Sequence, residues 1–224
     1  MIIFTSIFFL FFSSATSSDF PEIYGCFCEG GIISGRLKDK KDIIIIDEKK
    51  INVNQDGDFI FAFGRKFKEK LKITVNGINN EFDIIDKKYK KEIIRGLPKR
   101  KVEPNTEDLK KIKADQLKIK SIKKIGVTKK LFNQKFLIPV KGRISGVYGS
   151  QRVLNSKPRS THKGIDIAAP IGTEIIAPSN GKIILKEEDM FFTGKTVILD
   201  HGMGLISIFA HLNKIDVSLG QYIN

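Results

Sequence analysis

Histidine is scarce in this 224-residue chain, cysteine is scarcer, and only one stretch is both long and free of charge. The three histidines, His162, His201 and His211, all lie in the last third, and residues 19–90 contain none. Imidazole chemistry is thereby confined to the C-terminal part. The two cysteines, Cys26 and Cys28, are too few for a structural zinc site, which takes four ligands. A bridge between residues i and i+2 closes a strained ring, so mutual pairing is not expected. The bulky Tyr24 and the distance from the apolar segment argue against a lipidated Cys26, which leaves small packed residues near the start of a strand. The uncharged stretch is residues 2–12, IIFTSIFFLFF, followed by SSATSS. As a helix it would reach roughly 16 Å, short of a bilayer core of about 30 Å. An apolar core followed by small residues reads as a secretory signal over residues 1–18, cut after Ala15 or Ser18. No Lys or Arg precedes the run, so an uncleaved anchor is the alternative. The expected location is outside the cytoplasm, in the periplasm or associated with the cell envelope.

Acidic residues are also outnumbered: 25 Asp and Glu against 39 Lys and Arg give a net charge of +14. The signal carries no charge, so the mature chain keeps that excess. Anionic cell wall and anionic lipid headgroups suit an exported basic protein. Solubility alone is the plainer explanation of the same charge. Nucleic acid is not expected as a partner, because the Lys-rich stretch has almost no aromatic residue beyond Tyr89 for bases to stack on.

The chain divides by composition. Residues 19–90 show short β-branched and alternating runs, Ile43–Ile46, Phe59–Phe63 and Leu71/Ile73/Val75, with turn signals at Asp56-Gly57 and Asn76-Gly77. They predict a small antiparallel sandwich or barrel. Residues 91–135 are a basic connector broken by Pro98 and Pro104. Within it Thr106 caps a helix carrying Leu109, Ile112, Leu117, Ile119 and Ile122, and Gly126 ends it. Residues 136–224 are β-rich again, with a hairpin expected at Asn180-Gly181 between Ile175-Ile176 and Ile183-Ile184, and strands at Thr196–Leu199 and Leu205–Ala210. The fold class is mainly β.

His162-Lys163-Gly164-Ile165-Asp166 pairs an imidazole with a carboxylate, both good zinc donors. The downstream Ile167-Ala168-Ala169-Pro170 and Gly164 itself argue against a helix. Fully extended, four residues cover about 13 Å, too far for both side chains to share one ion. The backbone must bend, and Gly164 permits it. The expectation is a loop carrying His162 that turns into a strand opening with Asp166. By spacing alone, a surface His near an Asp explains the pattern too. In the strand Leu205–His211, alternation puts Ser207, Phe209 and His211 on one face and Ile206, Ile208 and Ala210 on the other. The aliphatic face reads as core. The first face reads as groove wall, where His211 would hold or deprotonate a water, or as a rim without a role.

The run SGVYGSQRVLNSKPRSTHKGIDIAAPIGTEIIAPSNGKI, followed by GKTVILDHGMGLISIFAHL, resembles the lysostaphin-type (LytM-like) zinc endopeptidases of bacterial cell walls. The HxGxD motif, the AAPxGTxIxAPxxGKI segment, the DHG turn and the HL after a strand match in order over about residues 136–224. The N-terminal part, including IRGLPKRKVEP, is similar to the small β-domain ahead of the catalytic domain in some proteobacterial members. The resemblance implies one catalytic zinc ion, a long groove, and hydrolysis of peptide bonds in peptidoglycan. It implies His162 and Asp166 as zinc ligands, His211 as a catalytic histidine, and His201 as a structural or groove-lining residue beside Ser207 and Phe209. Many relatives have Tyr where this chain has Phe209. The family completes its site with an HxH motif after the HL. No such motif occurs before Asn224, so the peptidase domain reads as incomplete, with an exposed sheet edge expected. Two function classes follow: a zinc endopeptidase remodelling peptidoglycan, whose activity in this chain depends on the missing ligand, or a non-catalytic peptidoglycan-binding or hydrolase-activating protein.

Overall fold

A computed structural model describes residues 20–122, 129–132 and 135–224. The expected signal, residues 1–18, and the helix-ending Gly126 lie outside the described residues. Among the described residues, no helix is long and apolar enough to cross a membrane.

The first unit is a sandwich of two antiparallel sheets. Strands β1 (Ile23–Gly25), β2 (Ile32–Arg36), β3 (Ile44–Ile46), β4 (Lys49–Lys50), β5 (Asp58–Ala62), β6 (Lys70–Val75) and β7 (Ile78–Asp83) build it. One sheet has the order β1-β2-β5 and the other β4-β3-β6-β7. Alternation decides which side chains meet: Leu71, Ile73 and Val75 of β6 face inward with Ile44 and Ile46 of β3, and Ile33 and Phe59 come from the opposing sheet. Burying each such side chain is worth about 1.5–3 kcal/mol, which makes this cluster the centre of the sandwich. Asn76 and Gly77 take left-handed backbone angles, φ +48° and +86°, and join Val75 to its partner Ile78 in the expected tight turn. The Asp56-Gly57 signal also makes a turn, but Ile51–Val53 before it is not a strand; β5 pairs with β2. Cys26 and Cys28 are joined by a disulfide, contrary to expectation. Residues i and i+2 share a side of an extended segment, and this one contracts to a Cα–Cα distance of 5.2 Å, inside the range of roughly 4.4–6.8 Å that a bridge requires.

The basic stretch begins differently from its reading as a helical connector. Lys91–Ile94 forms strand β8. A short helix α1 (Lys99–Val102) and helix α2 (Thr106–Ile122) follow. The cap lies one residue earlier than expected. Asn105 Oδ1 accepts the Asp108 N–H at 2.8 Å, and Asp108 Oδ2 accepts the Asn105 N–H at 3.4 Å, a reciprocal cap. The inward stripe is Asp108, Ile112, Asp115, Ile119 and Ile122, whereas Leu109 and Leu117 are exposed. Its two acids have partners: Arg100 Nε donates to both Asp108 oxygens at 2.8 Å, and Asp115 accepts the Phe191 N–H at 2.7 Å.

The remaining strands are β9 (Arg143–Gly146), β10 (Gln151–Leu154), β11 (Lys157–Thr161), β12 (Asp166–Ala168), β13 (Gly181–Met190), β14 (Gly194–Gly202), β15 (Leu205–Leu212) and β16 (Tyr222–Ile223). They form three sheets: β11-β10-β8, β12-β9 and β15-β14-β13-β16. The hairpin expected at Asn180-Gly181 is absent, since Ile175-Ile176 is not a strand and Ile176 N–H bonds instead to Pro139 O at 2.9 Å. The four-stranded sheet is covered on both faces. Leu185, Met190 and Ile198 pack with Ile119, Ile122 and Ile206, while Ile183, Val197 and Leu199 pack with Phe209, Ile215, Val217 and Ile223.

Candidate metal centre

Strand β11 delivers His162. Both of its backbone groups are held by the loop between β9 and β10: His162 N–H bonds to Ser150 O at 2.9 Å, and His162 O accepts the Gly149 N–H at 2.8 Å. The chain then bends at Gly164 and re-enters a sheet at Asp166, the first residue of β12, opposite Gly146 of β9. This is the loop-into-strand geometry that the reach of the two side chains required. His162 Nε2 stands 3.2 Å from Asp166 Oδ1, with the imidazole 11% and the carboxylate 45% exposed. The other carboxylate oxygen, Oδ2, accepts from Arg152 Nη2.

The pair fits two positions of a zinc site. Two ligands each about 2.0–2.1 Å from a tetrahedral ion are about 3.3 Å apart, close to the observed separation. His162 Nδ1 is buried and, among the described residues, has no hydrogen-bond partner. Among the described residues, no group of three or more His, Cys, Asp and Glu side chains stands together to hold a metal. The structure brings His162 to Asp166 and adds neither His201 nor His211 as a third donor.

His211 is exposed, and its φ is +60°. It sits where the β14–β15 register slips: Phe209 pairs with Val197 and Leu212 with Lys195, so two residues oppose one. A bulge re-aims the side chain, and the simple alternation that grouped His211 with Ser207 and Phe209 stops short of it. Phe209 packs into the Ile183/Val197/Leu199 cluster and is not an open groove wall. Ile208, expected in the core, is 47% exposed.

His201 has no exposed surface, so it lines no open groove here. Its Nδ1 is 2.7 Å from Asn180 O and its Nε2 is 2.8 Å from Ser207 Oγ. Phe136 meets the ring edge-on at 5.1 Å. Burial pushes the imidazole below its ordinary pKa of 6.5, against the opposing pull of Asn180 O and Asp200. His201 and Ser207 together tie the end of β14 to β15.

Arg152 and Glu92 were not singled out by the sequence. Arg152 Nε also contacts Glu92 Oε2 at 3.3 Å, and the two residues are direct partners in the parallel pairing of β10 with β8. Burial alone would raise the Glu92 carboxyl, but the Ser150 hydroxyl, the Val147 N–H and Arg152 outweigh it and hold its pKa below the usual value. Glu92 lies 60 residues before Arg152, and no local spacing signals such a partner.

Residues 160–224 match the model of Peptidase family M23. A stretch of 88 residues is 35% identical to an uncharacterized metalloprotease of Buchnera aphidicola subsp. Baizongia pistaciae, covering 39% of this chain and 23% of that protein. Another of 92 residues is 29% identical to the peptidoglycan DD-endopeptidase ShyA of Vibrio cholerae, covering 41% of this chain and 21% of the relative. The chain thus spans about a quarter or less of the length of these curated relatives. A crystal structure of a putative peptidase M23 from Pseudomonas aeruginosa superposes with a TM-score of 0.60 at 29% identity, over 88% of this chain and 78% of that one.

Proposed function

With residues 160–224 assigned to peptidase family M23 by their match to its model, we propose that this chain acts on bacterial peptidoglycan as a zinc-dependent endopeptidase of the cell envelope. The observation that carries the reading is the convergence of His162 Nε2 and Asp166 Oδ1 to 3.2 Å by a bend in the chain. The name of the Vibrio relative, a peptidoglycan DD-endopeptidase, supports peptidoglycan as the substrate. The uncharged leader at residues 2–12 supports export. His162 and Asp166 would hold the metal, which when bound supplies a Lewis acid and a water of lowered pKa. In this reading His211, exposed and close in sequence to the strand end, moves a proton to or from the reacting water. The basic surface, net +14, favours approach to an anionic wall.

A second reading, binding without hydrolysis, is favoured by one observation: among the described residues no third His, Cys, Asp or Glu side chain joins His162 and Asp166, whereas a catalytic zinc site takes three protein ligands. Purified peptidoglycan sacculi separate the two. Under the first reading, the zinc-supplemented wild type releases soluble peptide-linked fragments, and His162→Ala lowers release by at least about 100-fold, as expected when a metal ligand is lost. Equal release by both proteins sinks the endopeptidase reading. Retention on sacculi with no release by either protein selects binding alone.

A further inference from the structure

We propose that Arg152 is a positioning residue for the metal pair, aligning Asp166 by bridging it to Glu92. This rests on reading His162 and Asp166 as metal donors. The two oxygens of Asp166 have different neighbours: Oδ1 faces His162 Nε2 at 3.2 Å, and Oδ2 takes the Arg152 guanidinium. With each oxygen engaged, the carboxylate cannot rotate without breaking one contact. Arg152 is itself fixed. It stands opposite Glu92 in the β10–β8 register, and its Nε contacts Glu92 Oε2 at 3.3 Å. Glu92 Oε1 in turn accepts the Val147 N–H at 3.1 Å. Four side chains from three strands and one loop thus form a single line: Glu92, Arg152, Asp166, His162.

The space for this line is reserved by Gly146, the cross-strand partner of Asp166. A Cβ at that position would lie 2.5 Å from Asp166 Oδ2 and 3.2 Å from Arg152 Nη2. Any larger residue would push the guanidinium and the carboxylate apart. An isolated exposed ion pair would order little. The line is partly buried at Glu92, 19% exposed, and Arg152, 25% exposed, and more open at Asp166, 45% exposed, and the planar guanidinium fork addresses two carboxylates from fixed directions. Ligating carboxylates are commonly held by such outer partners, whose loss weakens metal binding. Glu92, Gly146 and Arg152 all precede residue 160, so the family-matched segment receives the alignment of its carboxylate from outside itself.

The test measures metal binding by the full chain, not turnover. Zinc affinity is read by competition with a chromophoric chelator, coordination by the absorption spectrum of the cobalt(II) form, and folding by melting of the metal-free protein. Asp166→Asn serves as the control for adventitious uptake. Arg152→Ala should bind zinc about 10–100-fold more weakly than the wild type and alter the cobalt spectrum. Arg152→Lys, which keeps the charge but not the fork, should recover part of the affinity. Glu92→Gln should move affinity in the same direction by less, and it stands in if Arg152→Ala fails to fold. Wild-type affinity and an unchanged spectrum in Arg152→Ala and Glu92→Gln, or tighter binding in either, overturn the positioning role alone. A wild-type chain that binds no more zinc than Asp166→Asn overturns the metal reading and this role with it.

Discussion

His201 and His162 are both enclosed imidazoles, and their surroundings assign them opposite work. His201 has a partner at each ring nitrogen, Asn180 O and Ser207 Oγ, and nothing left to offer a substrate. His162 has Asp166 at one nitrogen and, among the described residues, no partner at the other. The depressed pKa of His201 makes its contribution dependent on pH. The folded state resists protonating this ring, so below its ordinary pKa the unfolded chain binds more protons. Its stabilisation is therefore complete above about pH 6.5 and declines as the pH falls through the lowered folded value. The carboxylates with lowered pKa, Asp58, Glu92, Asp108 and Glu188, lose their stabilisation at more acid pH, which leaves the His201 window readable. Melting should fall between about pH 7 and about pH 5.5 in the wild type, and His201→Gln should flatten that slope. His201→Ala should cost about 2–4 kcal/mol through the cavity and the unpaired Asn180 carbonyl. Identical slopes in wild type and His201→Gln would remove the buried neutral histidine.

Strand β15 shows what periodicity can and cannot read. Its existence follows from the apolar run Leu205–Ala210, but the face read as core carries the exposed Ile208, while Phe209, read as groove wall, packs into the Ile183/Val197/Leu199 cluster. The bulge at Ala210-His211 is set by the pairing with Lys195 and Val197, which no local pattern encodes. Because His211 sits at φ +60°, an alanine there keeps the cost of a left-handed backbone and a glycine does not. His211→Gly should be more stable than His211→Ala by about 1 kcal/mol in urea denaturation. Equal stabilities would mean that the residue leaves this conformation in solution. Helix α2 repeats the lesson. Its start near Thr106 and its inward Ile112, Ile119 and Ile122 are legible in the spacing. Its inward-facing acids are not, since the buried Asp108 and the half-buried Asp115 are stabilised by Arg100 and by the Phe191 backbone, partners outside the helix.

Across the molecule, the mainly β architecture was readable, because turn chemistry and alternation are local. The HxxxD bend was readable only on the premise that His162 and Asp166 share one ion, since the spacing by itself also fits a surface His near an Asp. What remained hidden is long-range: β8 leaving the connector to pair with β10, and the line from Glu92 to Asp166 that this pairing creates. The N-terminal sandwich also reaches the site. Arg65 Nε bonds to Gly149 O at 2.8 Å and its guanidinium lies 4.6 Å from the Tyr89 ring centre, while the Gly149 N–H holds the His162 carbonyl. The two units thus meet at the loop that fixes the candidate ligand. The central claim is that this whole arrangement presents His162 and Asp166 to a metal ion. Its most direct test is the zinc bound by the purified full chain at equilibrium, measured by dialysis against a buffered zinc solution. The wild type should bind about one zinc per chain, the stoichiometry of a mononuclear site, and the His162→Ala/Asp166→Ala double variant close to none. Equal zinc in the two proteins would contradict the claim.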